Sequence, residues 1–88
     1  MDITEIKIRK TLGGTKRKAV ASITLDGQFA IHDISVIQLK GKPAFVCMPN
    51  RKLNNGNYMD IAHPTNSETR AMISNAVLST YERLSQQD

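Results

Sequence analysis

The chain has 88 residues, 40% of them hydrophobic and 23% charged, which fits one globular domain spanning 1–88 and excludes both disorder and a fibrous repeat. A domain of this size buries only roughly two thirds of its unfolded surface, so its core is modest and self-association is an expected source of further burial. The net charge is +4, and ten of the twelve cations fall in two segments, Lys7 to Lys18 and Lys40 to Lys52, with no acid among the cations of the first.

TEIKIRK opens the pattern: Ile6 and Ile8 alternate with Glu5, Lys7 and Arg9, as in a half-buried strand with cations on its other face. The glycines in Leu12 to Lys16 predict a turn. From Lys18 to Asp26 the apolar residues Ala19, Ala21, Ile23 and Leu25 recur at period two. Asp26-Gly27 then supplies residues that tolerate the positive φ angles of a type I′ hairpin turn. In the return strand the alternation fails across DISVIQL, which predicts a bulge or bend near Asp33.

AFVCM, from Ala44 to Met48, is apolar on both faces and predicts a central strand or one covered by a helix. Asn55-Gly56 marks a further turn, and NYMDIA a final short strand, so Met48 to Pro64 reads as a hairpin-like loop. Thr65 and Glu68 have the spacing of a capping box. Beyond them Met72, Ile73, Ala76, Val77, Tyr81 and Leu84 form an apolar stripe, with Arg70 and Arg83 pointing away from it. The expected fold is α+β: an antiparallel sheet of four to five strands over residues 2 to 62, a C-terminal helix from about Thr65 to Leu84, and a homodimer because a small core and an open strand edge invite pairing.

Catalytic readings are weak at each candidate. Cys47 sits between Val46 and Met48, surroundings that suit a core thiol better than an activated thiolate. His32 and Asp33 are neighbours on a strand and point to opposite faces. Asp60 and His63 suit loop bracing. Metal-ligand spacings and a nucleotide-cradling loop are both lacking, so neither an enzyme nor a cofactor is expected. Phe29 and Phe45 are expected in the core, and Tyr58, in the basic loop, is placed to stack on one base.

The start MDITEI lacks a basic segment followed by an apolar run, and no stretch approaches a membrane span. With one cysteine and no possible internal disulfide, the expected location is the cytoplasm, with no membrane partner. The clustered cations have two readings, a patch for a polyanion or solubilising decoration of hairpin tips and edges.

ASITLDGQFAIHDISVI (21–37), AFVCMPNRK (44–52) and DIAHPTNSETR (60–70) resemble, in order and spacing, the signature segments of the SpoVG family, stage V sporulation protein G. The resemblance covers almost the whole chain. It implies a cytoplasmic, dimeric bacterial regulator that binds DNA, in some members RNA, and influences septation, sporulation or gene expression. Arg51 and Lys52 match the family's basic pair after Met-Pro, and Arg70 its arginine in the first turns of the helix. Asn50 stands where a serine is usual, Thr65 where an isoleucine is usual, and the tail after Leu84 is shorter than in many members. On this basis Arg51, Lys52, Arg70 and the helix-start amides are expected to contact phosphates, joined by Arg9 or Arg17 of the first hairpin. Asn66, Ser67 and Arg70 are the expected readers of base edges. The alternative is a protein-interaction module whose basic loop docks an acidic protein.

Overall fold

A computed structural model describes residues 2–11 and 16–86. Most of the turn expected over Leu12 to Lys16 therefore lies outside the described residues. Among the described residues six strands and one helix follow in order: β1 (Ile3–Lys10), β2 (Arg17–Leu25), β3 (Phe29–Ile37), β4 (Phe45–Cys47), β5 (Asn50–Lys52), β6 (Tyr58–Asp60) and α1 (Ser67–Gln86). β1 to β4 form an antiparallel sheet in chain order, and β5 and β6 pair only with each other. The α+β class is as the sequence implies, with the final hairpin standing as a second, two-stranded sheet.

Alternation in β2 decides which face of the sheet is covered. Ala19, Ala21, Ile23 and Leu25 are buried, joined by Ile34 and Val36 of β3 and by Met48, Ile73 and Val77. The helix therefore packs one face, and Ile23, Ile34, Val36 and Val77 are its most completely buried large side chains. Burying each contributes roughly 1.5–3 kcal/mol before the entropy of ordering is subtracted. Arg70 and Arg83 are exposed, as the apolar stripe requires.

The β2–β3 turn has Asp26 at φ 51° and Gly27 at φ 64°, the two positive angles of the expected turn type. Residues at the start of β1 clamp it: the Asp26 amide donates to Asp2 O and the Asp2 amide to the Asp26 side-chain Oδ1, each at 2.8 Å, and the Gly27 amide donates to Thr4 Oγ1 at 2.9 Å. The bulge expected near Asp33 is present. Ala21 pairs with Ile34 but Ile23 with Ile31, so one residue of β2 faces two of β3, and Asp33 takes φ 62°.

Three expectations change. β4 is the edge of its sheet rather than a centre strand, and it meets the other expectation, a strand covered by the helix: Val46 follows its partner Val36 toward α1 while Phe45 and Cys47 take the other face. Phe45 is consequently 42% exposed, and Phe29, beside the turn, is 64% exposed, so neither belongs to the core. The helix cap is Asn66, not Thr65. Asn66 Oδ1 accepts from the Thr69 amide at 2.8 Å, and its backbone carbonyl accepts from Arg70, which starts the helix one residue later.

Candidate nucleic-acid interface

The basic pair after Met-Pro is held on the β5–β6 ribbon. Gly56, at φ 89°, allows the turn to close, with the Leu53 amide donating to Asn57 O at 2.6 Å and the Gly56 amide to Leu53 O at 3.0 Å. Asn55 Oδ1 accepts from the Asn57 amide, a local turn bond, and the Ile61 amide donates to Pro49 O at the ribbon's base. Asn50 Nδ2 donates to Met48 O, so this residue braces backbone.

Register sorts the ribbon's side chains into two faces. Lys52 lies opposite Tyr58 and Asn50 opposite Asp60 on one face; Arg51 lies opposite Met59 on the other. Arg51, Lys52 and Tyr58 are all exposed, Tyr58 at 68%. Neither cation makes a side-chain hydrogen bond or ion pair among the described residues. One face thus offers an ammonium beside an aromatic ring, and the other a guanidinium.

Helix α1 begins a short connection later. Ser67 and Arg70 are exposed in its first turn, with Arg70 uncommitted among the described residues. The oxygen of the Asn66 side chain is engaged in capping, which leaves its amide nitrogen to meet a ligand. Glu68 lies in the same turn and opposes the positive end of the helix dipole. His63 Nδ1 donates to Pro64 O at 2.9 Å, which makes the ring a brace for this connection.

The cations of the first hairpin lie elsewhere. Arg9 pairs with Val20 and points to the face the helix leaves open, as does Lys7 opposite Ser22. Lys10 takes the covered face and its Nζ donates to Leu84 O at 3.4 Å, a helix-end carbonyl. Arg17 pairs with Ile37 at the far end of the sheet; there the Gln38 amide donates to Lys16 O and Gln38 Nε2 to Lys42 O. Gln38 therefore ties the backbone at Lys16 to that at Lys42, distant in sequence, while Arg51 and Lys52 occupy a separate ribbon.

Two further features were not legible in spacing. Ser22 Oγ and His32 Nδ1 are 2.9 Å apart across β2 and β3, a pairing that depends on the bulge. Cys47 is half-buried, and burial first, then the Asp60 carboxylate, raise its thiol pKa. That is the opposite of an activated nucleophile. Among the described residues no group of three His, Cys, Asp or Glu side chains gathers as a metal site would need, and no helix is long and apolar enough to cross a membrane.

Comparison with known proteins follows the same outline. The SpoVG family model matches residues 1–83. The chain is 49% identical over 82 residues to a protein of Desulforudis audaxviator, covering 93% of this chain and 92% of the relative. It is 52% identical over 82 residues to one of Agathobacter rectalis, with 93% of each chain covered. A relative from Clostridium perfringens is 44% identical over 88 residues, covering 100% of this chain and 97% of that one. All three carry the name "Putative septation protein SpoVG".

Proposed function

The chain belongs to the SpoVG family, and from that premise we propose that it is a septation-related bacterial regulator that binds nucleic acid, DNA before RNA, through the β5–β6 ribbon and the start of α1. One observation carries this reading. Arg51, Lys52 and Arg70 are exposed cations without intramolecular partners among the described residues, and Tyr58 stands beside Lys52 on the same ribbon face. Structural cations are commonly tied to acids or carbonyls, as Lys10 is to Leu84 O at 3.4 Å. Free ones on a braced ribbon suit phosphates, and an adjacent exposed ring suits a base face.

Phosphate contact gives affinity, while the Asn66 amide nitrogen, Ser67 and Arg70 supply polar groups for base edges. The two cations of the ribbon face opposite ways, so a strand that engages both must cross the ribbon edge or wrap it. Arg9 and Arg17 extend the cationic surface along the sheet. The protein acts in the cytoplasm as a homodimer, which doubles that surface; exposed Phe45 and Ile61, 42% and 67% accessible, support the pairing. The chemistry is binding, without catalysis or a cofactor.

The same exposed apolar side chains favour a second reading, a module whose basic ribbon docks an acidic protein. Anisotropy titration of labelled DNA and RNA pools at two salt concentrations separates the two. Nucleic-acid binding that weakens as salt rises supports the proposal, and absence of binding to either pool at low salt favours the protein partner.

A further inference from the structure

The face of the sheet that α1 leaves open holds a concavity of about 360 Å³ at the β3 bulge, lined by Lys7, Arg9, Val20, Ser22, His32 and Asp33. We propose that the juxtaposition of Lys7, Arg9, Ser22 and His32 in this concavity is a phosphoryl-group site. Arg9 makes no side-chain hydrogen bond or ion pair among the described residues, and its fork of donors matches phosphate oxygens. Lys7 is held only by Glu5 at 3.7 Å, with both side chains largely exposed, an arrangement too weak to keep the ammonium from a phosphate dianion.

The Ser22–His32 pair supplies the directional contact. If Ser22 Oγ donates to His32 Nδ1, the ring carries its proton on Nε2 and can donate outward. If Nδ1 donates to Ser22 Oγ, the serine O–H is free to do so. Either tautomer of this pair, whose Oγ and Nδ1 are 2.9 Å apart, leaves one donor in the concavity that Lys7 and Arg9 also line. Val20 forms an apolar floor that excludes some water.

Asp33 is the opposing charge. It lines the same concavity and is held at φ 62°, so its carboxylate repels an entering anion. This gives the site a signature of sign: removing the Asp33 charge should tighten anion binding, whereas removing Arg9 should weaken it. Asn tolerates positive φ as Asp does, so Asp33→Asn leaves the backbone undisturbed.

The shared chemistry has two sources, a nucleic-acid backbone and a free phosphate, and the test has an arm for each. The oligonucleotide arm rests on the function proposed above; the phosphate arm does not. Full-length ¹⁵N-labelled protein is titrated with inorganic phosphate and with a single-stranded oligothymidylate, at ionic strength held constant with chloride, while backbone amide and imidazole shifts are followed. Saturable movement of residues 7, 9, 22 and 32 is expected with at least one ligand. Arg9→Gln should weaken that binding roughly tenfold, Arg9→Lys should restore part of it, and Asp33→Asn should strengthen it. Movement of these four residues with phosphate, while the oligonucleotide shifts no residue of the protein, supports the site and contradicts the proposed nucleic-acid function. Oligonucleotide binding that moves only the β5–β6 ribbon and the start of α1, with phosphate inert, keeps that function and overturns the site. Indifference of both ligands to Arg9→Gln and Asp33→Asn in folded protein overturns it too.

Discussion

Asn66 Oδ1 accepts a hydrogen bond from the Thr69 amide at 2.8 Å, and this contact fixes where α1 begins and hence where Ser67 and Arg70 are presented. Replacing Asn66 with Ala strands a helix-end donor and should cost about 1 kcal/mol, a fall in Tm of about 4–8 °C for a domain of this size. Thr65→Ala should leave the Tm nearly unchanged. Thermal melts of both variants check the assignment.

The Asp33 backbone makes a second, independent prediction. At φ 62° a β-branched side chain crowds the neighbouring carbonyl, so Asp33→Val should destabilise by about 1–2 kcal/mol, read as a lower urea midpoint at unchanged m. Asp33→Gly should be close to neutral, since Gly adopts this conformation without steric cost.

Much of this bulge was legible. Asp26-Gly27 announced its turn through residues suited to positive φ, and broken alternation at DISVIQL located the irregularity in β3. What alternation alone does not carry is which face a helix will cover or how far it reaches. Phe45 and Phe29 looked like core by type, yet one points to the open face and the other lies beside a turn. AFVCM looked central for the same reason, because an edge strand with a half-buried outer face has the same composition as a fully enclosed one. The site divides similarly. Arg51, Lys52 and Arg70 stand out from charge clustering and resemblance, whereas the bonding of Gln38 to both Lys16 O and Lys42 O and the meeting of Ser22 with His32 depend on long-range strand pairing that no local pattern encodes.

Cys47 should react slowly with alkylating reagents. Its pKa is raised by burial and then by Asp60, so less thiolate is present at neutral pH than in a free cysteine, and the rate should climb as pH rises. Asp60→Asn should accelerate the reaction only in part, because burial remains. The sign for stability follows: a raised folded-state pKa contributes stability that is complete below the unfolded thiol's pKa and lost as pH rises through the folded one. Alkylation rates across pH 7–9 for wild type and Asp60→Asn provide the check.

Pairing of two chains should depend on the exposed apolar side chains that carry no ligand contact in the proposed function. Phe45→Asp and Ile61→Asp place a charge where burial is expected and should shift sedimentation from dimer toward monomer at micromolar concentration. Wild-type protein sedimenting as a monomer at that concentration would contradict the dimer.

In the proposed function Arg51 and Lys52 grip phosphates, and this grip is read from the salt dependence of binding. Each neutralised phosphate releases counterions, so log K falls linearly with log salt, with a slope of about −0.9 per contact on a duplex. Replacing both residues with Ala should flatten that slope by about two units per protomer and weaken binding, while the Tm stays near wild type because exposed cations contribute within about half a kcal/mol to folding. A double variant that retains both the affinity and the slope of wild type would contradict the claim and move the grip to Lys16, Arg17 and Lys42 at the far end of the sheet.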